Sequence, residues 1–357
     1  MMNGYFKKLI VALFIGCLSL PSIAGNKDRA GQAGASELLV NPWARSSGMW
    51  GINNSAMSGV ESMRFNPAGL AHTTKTQILI ARSAWWENPF SKSAVSPDIA
   101  MNAFGLAQRV SESGVLGVSI MSIDFGDIPI TTVSLPDGGM GTFSPQFMNL
   151  GLSYGKEFSE SIFCGALVRV ISESIADVKA QGVCFDAGIQ YVGGATKNLR
   201  MGISLRNIGP SMRYNGDGLS FRGIVPDNEL ELTVQQRSEQ FELPSLLNIG
   251  GSYDYKLSEN HSLLFAANFV SNSFTNDQIG AGVEYKFKSY LMLRAGYNYE
   301  SQLLSAADRV TTNVGPAAGF SFEVPFGEGG TSLGMDYSYR AAQPFQGTHS
   351  FGVRITL

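Results

Sequence analysis

Few side chains in this sequence are spaced for covalent chemistry. The three histidines, His72, His261 and His349, lie far apart and near the ends of expected strands, where a turn or surface role suffices. No Cys/His cluster has the spacing of a metal site. There is no G-x-S-x-G, no Walker A loop and no H-E-x-x-H. The usual signatures of a serine nucleophile, a phosphate cradle or a zinc-protease helix are therefore missing. Gly138-Gly139-Met140-Gly141 is glycine-rich, but no helix follows it, and a turn explains it better than a nucleotide site. Neither an enzyme nor a cofactor nor a metal is expected. The chemistry left is electrostatic: Arg169, Arg200, Arg206, Arg294, Arg340 and Arg354 stand on polar faces that also carry Asp186, Glu284, Glu323 and Asp336. Mixed signs at close quarters point to paired charges that brace an interior, whereas one sign alone would point to an ion-selective pore.

Those charges need a scaffold, and period two supplies it. Leu291, Leu293, Ala295, Tyr297 and Tyr299 alternate with Met292, Arg294, Gly296 and Asn298. Phe351, Val353, Ile355 and Leu357 alternate with Ser350, Gly352, Arg354 and Thr356. Successive strand side chains point to opposite faces, so each segment has one apolar and one polar face. Fourteen such segments can be read: 76–85, 98–109, 115–124, 146–157, 161–172, 181–192, 199–208, 245–255, 261–270, 278–288, 290–300, 316–325, 331–340 and 348–357. A soluble β-sandwich also alternates. Its outward positions rarely hold so much Gly and Ser, and it has no need of Tyr and Phe at strand ends. A membrane barrel places aromatic girdles there.

The links support that count. Those after even-numbered segments are short, at 110–114, 158–160, 193–198, 256–260, 289 and 326–330. Several after odd-numbered segments are long, at 86–97, 125–145, 209–244 and 301–315. Short periplasmic turns opposite longer extracellular loops, with an even strand number, describe a bacterial outer-membrane barrel with both termini periplasmic. The expected fold is all-β: a 14-stranded antiparallel transmembrane β-barrel over 76–357, in contact with outer-membrane lipid.

Composition agrees. The chain has 357 residues, 41 of them Gly; 44% are apolar, 15% charged, and mean hydropathy is +0.03. Such a chain interleaves apolar and polar residues rather than blocking them. Residues 1–24 read as a signal peptide, with Lys7 and Lys8, an apolar run from Leu9 to Leu20, and a small-residue cleavage site at Ser22-Ile23-Ala24. Phe14-Ile15-Gly16-Cys17 is close to a lipoprotein box, but the apolar run continues past it, so cleavage after Ala24 is expected. The remainder carries 24 basic and 29 acidic residues, net −5, which offers no footprint for nucleic acid. Cys164 and Cys184 fall on opposite faces of their strands and are expected as free thiols.

Residues 25–75 have no strand pattern, yet contain Trp43, Met49, Trp50, Met57, Met63 and Phe65, which need burial. Fourteen strands enclose more space than their own side chains fill, so a plug inside the lumen is expected. "SGVESMRFNPAGLAH" at 58–72 is its last part, and Pro67 ends any helix and restricts Asn66.

Asn66-Pro67-Ala68-Gly69 just before the first strand resembles the FadL superfamily of outer-membrane proteins. "AGQAGASELL" at 30–39, Asn41-Pro42-Trp43 within "NPWARS" at 41–46, and "DFGDIPITTV" at 124–133 look like its PorV branch. "GTFSPQF" at 141–147, "FELPSLLNIG" at 241–250 and "PFQGTHSFGVRI" at 344–355 extend that resemblance over the mature chain. It implies a non-enzymatic component of the type IX protein secretion system. Such a component binds the translocon barrel, takes up cargo by its C-terminal signal domain and passes it to a PorU-like sortase complex. The alternative is a FadL-like channel for hydrophobic small molecules. Lumen polarity separates the two: the inward positions read as Gly, Ser, Asn, Arg and acids, which favours secretion. In the longest link, Leu230, Leu232 and Val234 share one face of a strand-like stretch that could pair with a strand containing Phe221, and they are the expected partner-binding residues.

Overall fold

The computed structural model describes residues 25–85, 99–224, 231–305, 309–326 and 330–357. The strands are β1 (Thr76–Trp85), β2 (Ile99–Arg109), β3 (Gly114–Asp124), β4 (Ile128–Pro129), β5 (Thr142–Phe143) and β6 (Gln146–Ser159). They continue with β7 (Ile162–Ile175), β8 (Val178–Gly193), β9 (Leu199–Ile208), β10 (Ser220–Ile224), β11 (Glu231–Gln235) and β12 (Leu246–Ser258). The last are β13 (His261–Asn272), β14 (Gln278–Phe287), β15 (Leu291–Glu300), β16 (Asn313–Pro325), β17 (Ser332–Ala342) and β18 (Thr348–Thr356). Fourteen of them close into one barrel in the order β1-β18-β17-β16-β15-β14-β13-β12-β9-β8-β7-β6-β3-β2. Every pairing is antiparallel; β1 closes on β18 from Gln77↔Thr356 to Ala84↔His349. The fourteen-stranded barrel expected from the alternation is the one observed.

Burial shows what the wall separates. On β6, Met148, Leu150, Leu152 and Tyr154 are 42–57% exposed, while Asn149 and Ser153 between them are 3% and 1% exposed. A water-soluble sheet would invert this pattern. Apolar residues outward and polar residues inward suit a wall that faces hydrocarbon, and closure leaves no unpaired strand edge in it. Tyr255, Phe158 and Phe287 stand on the outer face at one end, and Tyr297 and Tyr299 at the other.

The links differ at the two ends. One end carries only short turns, such as 110–113, 160–161 and 259–260, and there the barrel also begins and ends. The other end carries the long links, two of which form small hairpins of their own, β4–β5 and β10–β11. The sequence reading placed a loop at 173–180. The structure instead runs β7 and β8 to a two-residue turn at 176–177, with Ala176 at φ 47°. Glu173 points inward and is 3% exposed, while Ser174 and Lys179 face outward, so polar residues on both faces leave no apolar–polar alternation to read.

The interior also departs from expectation. Half of it is apolar: Leu79, Ala81, Met101, Val115, Ile123 and Leu167 on β1–β3 and β7 point inward and are at most 3% exposed. The other half, from β14 to β18, holds Glu284, Arg294, Ser321, Asp336 and Arg354, all buried. In β1, Ile78-Leu79-Ile80 is apolar on both faces, so period two cannot tell lumen from lipid there.

Candidate functional site

Residues 25–75 run through the barrel, and two Asn-Pro pairs shape their path. Asn41 Oδ1 accepts the Trp43 N–H at 3.0 Å, and a single helical turn, Ala44–Ser47, follows. Asn66 Oδ1 accepts the Ala68 N–H at 3.1 Å and opens the 3-10 turn Pro67–His72. Asn66 thereby caps its turn, taking a backbone donor that a helix start leaves free, with Pro67 following where no donor is needed. Asn41 instead makes a local turn ahead of Ala44–Ser47, whose N-cap is Trp43. Arg64 joins the two: one guanidinium nitrogen donates to the carbonyls of Glu37 and Val40, each at 2.6 Å. Asn66 also reaches the wall, donating to the carbonyls of Ile189 (3.1 Å) and Ile203 (3.4 Å).

The wall is built to receive this segment. A Cβ added to Gly165 would lie 2.3 Å from the Pro67 carbonyl carbon, and one on Gly188 would lie 2.1 Å from Asn66 Oδ1. The same holds around the barrel: Gly250 faces Asn54, Gly280 faces Ile52, and Gly319 faces Gly48. Inward glycines on successive strands form a girdle with room for a second layer of backbone. Into the apolar half the segment inserts Trp43, Val60, Met63 and Leu70, which pack on Leu79, Ala103, Val115 and Leu167.

Among the described residues, two cavities of at least 200 Å³ flank the segment. The one toward the long-link end has a volume of about 410 Å³, with Leu39, Trp50, Ile52, Phe65 and Trp85 among its walls. The other, toward the short-turn end, is about 200 Å³ and is lined by charged groups including Arg45, Glu61, Arg200, Glu284, Lys286 and Arg354. The stretch from Trp50 to Met57 separates them, tied down by Asn54 to Asn268 (3.2 Å), Ser55 to Ser252 (3.0 Å), and Gln190 to the Asn54 and Met57 carbonyls. Around the lower cavity several charges are paired, although Glu61, Arg200 and Asp254 form no ion pair among the described residues. Glu284 meets Arg294, Lys286 at 3.2 Å and Arg45 at 3.8 Å; Arg354 meets Glu323 at 2.9 Å. Higher up, Arg169 meets Asp186 at 2.9 Å. The expected bracing of opposite charges is present.

Glu37 is 1% exposed beside Glu173, which accepts the Tyr214 hydroxyl. Burial and the Glu173 carboxylate push the Glu37 pKa up from 4.5 to about 8, against the pull of Arg64. The folded chain thus holds a proton at neutral pH that the unfolded chain has lost. The resulting stability is complete below the unfolded value of 4.5 and is lost as pH rises through about 8. The heat-denaturation midpoint should fall between pH 5 and pH 9, and Glu37→Gln should flatten that fall. An equally steep profile in the variant would show that other groups cause it.

The histidines are not surface groups. His72 stacks on Phe163 at 4.1 Å, bonds Gln190 at 3.1 Å, and burial lowers its pKa to about 4. His349 is 9% exposed, and His261 bonds Tyr285 at 2.6 Å. Each lies against an aromatic or amide partner on another element, Phe163 and Gln190 for His72, Tyr285 for His261 and Tyr337 for His349, which sequence separation concealed. Cys164 and Cys184 are free, the second buried. Of the expected partner-binding residues, Leu230 lies outside the described residues. Phe221 pairs with Val234, and Leu232 opposite Gly223 shares their face of the β10–β11 hairpin; the three are 55%, 39% and 49% exposed.

No family model matches the sequence, and no curated protein matches it. Solved structures do match by shape. The monoaromatic hydrocarbon channel CymD superposes with a TM-score of 0.54 at 15% identity, over 89% of this chain and 97% of its own. The Pseudomonas putida toluene transporter TodX gives 0.52 at 13%, over 88% and 96%. A Pseudomonas aeruginosa FadL homologue gives 0.50 at 11%, also over 88% and 96%. At these identities the likeness is one of fold: this chain has the closed fourteen-stranded architecture of the FadL-like outer-membrane channels.

Proposed function

We propose that this chain is a non-enzymatic outer-membrane barrel that admits small hydrophobic or amphipathic molecules from its long-link end into the upper cavity. That cavity carries the reading. At about 410 Å³ it is the size of a small-molecule site. Apolar side chains such as Trp50, Ile52, Phe65 and Trp85 share its walls with Asn, Thr and Arg, which suits an amphipathic guest, and similar folds are described as hydrocarbon channels. Titrating naphthalene into the detergent-solubilised chain should quench tryptophan emission saturably. Leu39→Arg, at a 42% exposed position in the cavity wall, should weaken that binding about tenfold by placing a charge in the apolar path. Non-saturating partition that is the same in both chains would refute the reading.

One observation favours a second reading, the type IX secretion component to which the sequence motifs point. The β10–β11 hairpin exposes Phe221, Leu232 and Val234, and an apolar face presented to water fits a partner. It would serve the translocon barrel, a cargo signal domain or the PorU-like complex. Replacing 216–240 by a Gly-Ser linker should leave the barrel assembled while abolishing co-purification of translocon or cargo. Unchanged co-purification would remove this role from the hairpin.

A further inference from the structure

The interior arginines fall into two groups. Arg169, Arg294 and Arg354 each meet a carboxylate, and Arg64 meets two carbonyls. Arg200, half-buried at the lower cavity, has neither kind of partner among the described residues, and nor have the buried Arg206 and Arg340. They are 4% and 8% exposed, and among the described residues neither takes part in an ion pair or donates a hydrogen bond. The Nε–H of each is buried without an acceptor. Both line the upper cavity. Their guanidiniums lie against aromatic rings of the plug, Arg206 at 5.2 Å from Phe65 and Arg340 at 5.4 Å from Trp50. Such contacts offset only part of the cost of a buried cation. Asp186 attracts Arg206 at longer range, but its oxygens are engaged by Arg169 and the Asn207 N–H. The one carboxylate among the described lining residues, Glu300, is held by Gln278 at 2.9 Å.

Geometry then fixes the ligand class. Arg206 is on β9 and Arg340 on β17, six strands apart around a ring of fourteen. They therefore face each other across the cavity, beyond the reach of one small anionic group. We propose that the upper cavity binds a compact organic dianion, two acidic groups joined by an apolar body, with one group on Arg206 and the other on Arg340. The apolar body lies against Trp50, Ile52 and Phe65. A neutral hydrocarbon would fill the same space and leave both cations unpaired. This inference rests on the upper cavity being a ligand site.

Calorimetric titration of the full chain in detergent with naphthalene-2,6-dicarboxylate, naphthalene-2-carboxylate and naphthalene tests it. The dicarboxylate should bind about tenfold more tightly than the monocarboxylate, the gain from one further charge-assisted contact. Arg206→Gln and Arg340→Gln should each bring the dicarboxylate down to the affinity of the monocarboxylate. Arg206→Lys should retain part of it, and heat modifiability on gels confirms that each variant is folded. Naphthalene binding as tightly as the dicarboxylate, or a dicarboxylate affinity indifferent to both glutamine variants, overturns the dianion and leaves the cavity reading standing. No binding of any of the three overturns both.

Discussion

Removing residues 31–66 is expected to turn a closed barrel into a conducting one. Met49, Ile52, Val60 and Met63, each at most 1% exposed, occupy the lumen between the two cavities. Nothing in the wall can take their place, because the strands facing them present glycines such as Gly280, Gly282 and Gly296. The shortened chain would join the upper cavity, the lower cavity and the vacated space into one path lined by Arg, Glu, Ser and Asn. In planar bilayers the complete chain should be silent and the deletion should show discrete conductance steps. Its folding stability, read from heat denaturation, should also fall by more than a single core truncation costs, about 3 kcal/mol. A deletion that stays electrically closed and equally heat-stable would mean that the strands seal the lumen without the segment.

Gly165→Val is expected to be the most damaging single substitution in the wall. Its Cβ would stand 2.3 Å from both the carbonyl carbon and the oxygen of Pro67, and 2.5 Å from the Ala68 nitrogen. All three are backbone atoms, held in place by the Asn66 cap and by the Asn66 bonds to Ile189 and Ile203. They cannot move aside as a side-chain tip would, so the plug must shift or the β6–β7–β8 wall must bulge. Overpacking of this kind costs about 1–3 kcal/mol, and a backbone obstacle puts it at the upper end. Gly251→Val is the matched comparison. Gly251 is on β12, where an added Cβ meets only the Arg200 carbonyl oxygen, at 4.0 Å. Valine there should be neutral or slightly stabilising, since a β-branched side chain suits a strand. Equal behaviour of the two variants in heat denaturation would show that the glycine girdle is not what seats the plug.

The strands were legible where one face met lipid and the other met polar groups. On β15, Leu293 and Tyr297 alternate with Arg294 and Asn298, and the two environments write a period of two. Legibility failed where the environments matched. β1 is apolar on both faces because its inner face packs on Trp43 and Val60, so the apolar half of the lumen went unseen. The upper parts of β7 and β8 carry polar residues on both faces, Glu173 buried inward and Ser174 and Lys179 outward, and there the sequence shows no strand period. The charged interior was foreseen as a set of opposite signs. Which carboxylate meets which arginine was not, since Arg354 and Glu323 are 31 residues apart and meet only because β18 and β16 flank β17.

The sequence by itself determined the barrel: its closure, strand number, outward apolar face and a buried segment ahead of the first strand all follow from local alternation, link length and the position of tryptophans without a strand to hold them. Only the tertiary structure decided how that segment sits. The inward glycines look in sequence like any small polar-face residues, and they become a docking surface only when barrel closure gathers them around residues 44–71. The unpaired arginines of the upper cavity were likewise invisible. Arg206 and Arg340 share the residue type and strand phase of Arg169 and Arg354, and whether a buried cation has a partner is settled by strand register and closure, which no local pattern encodes.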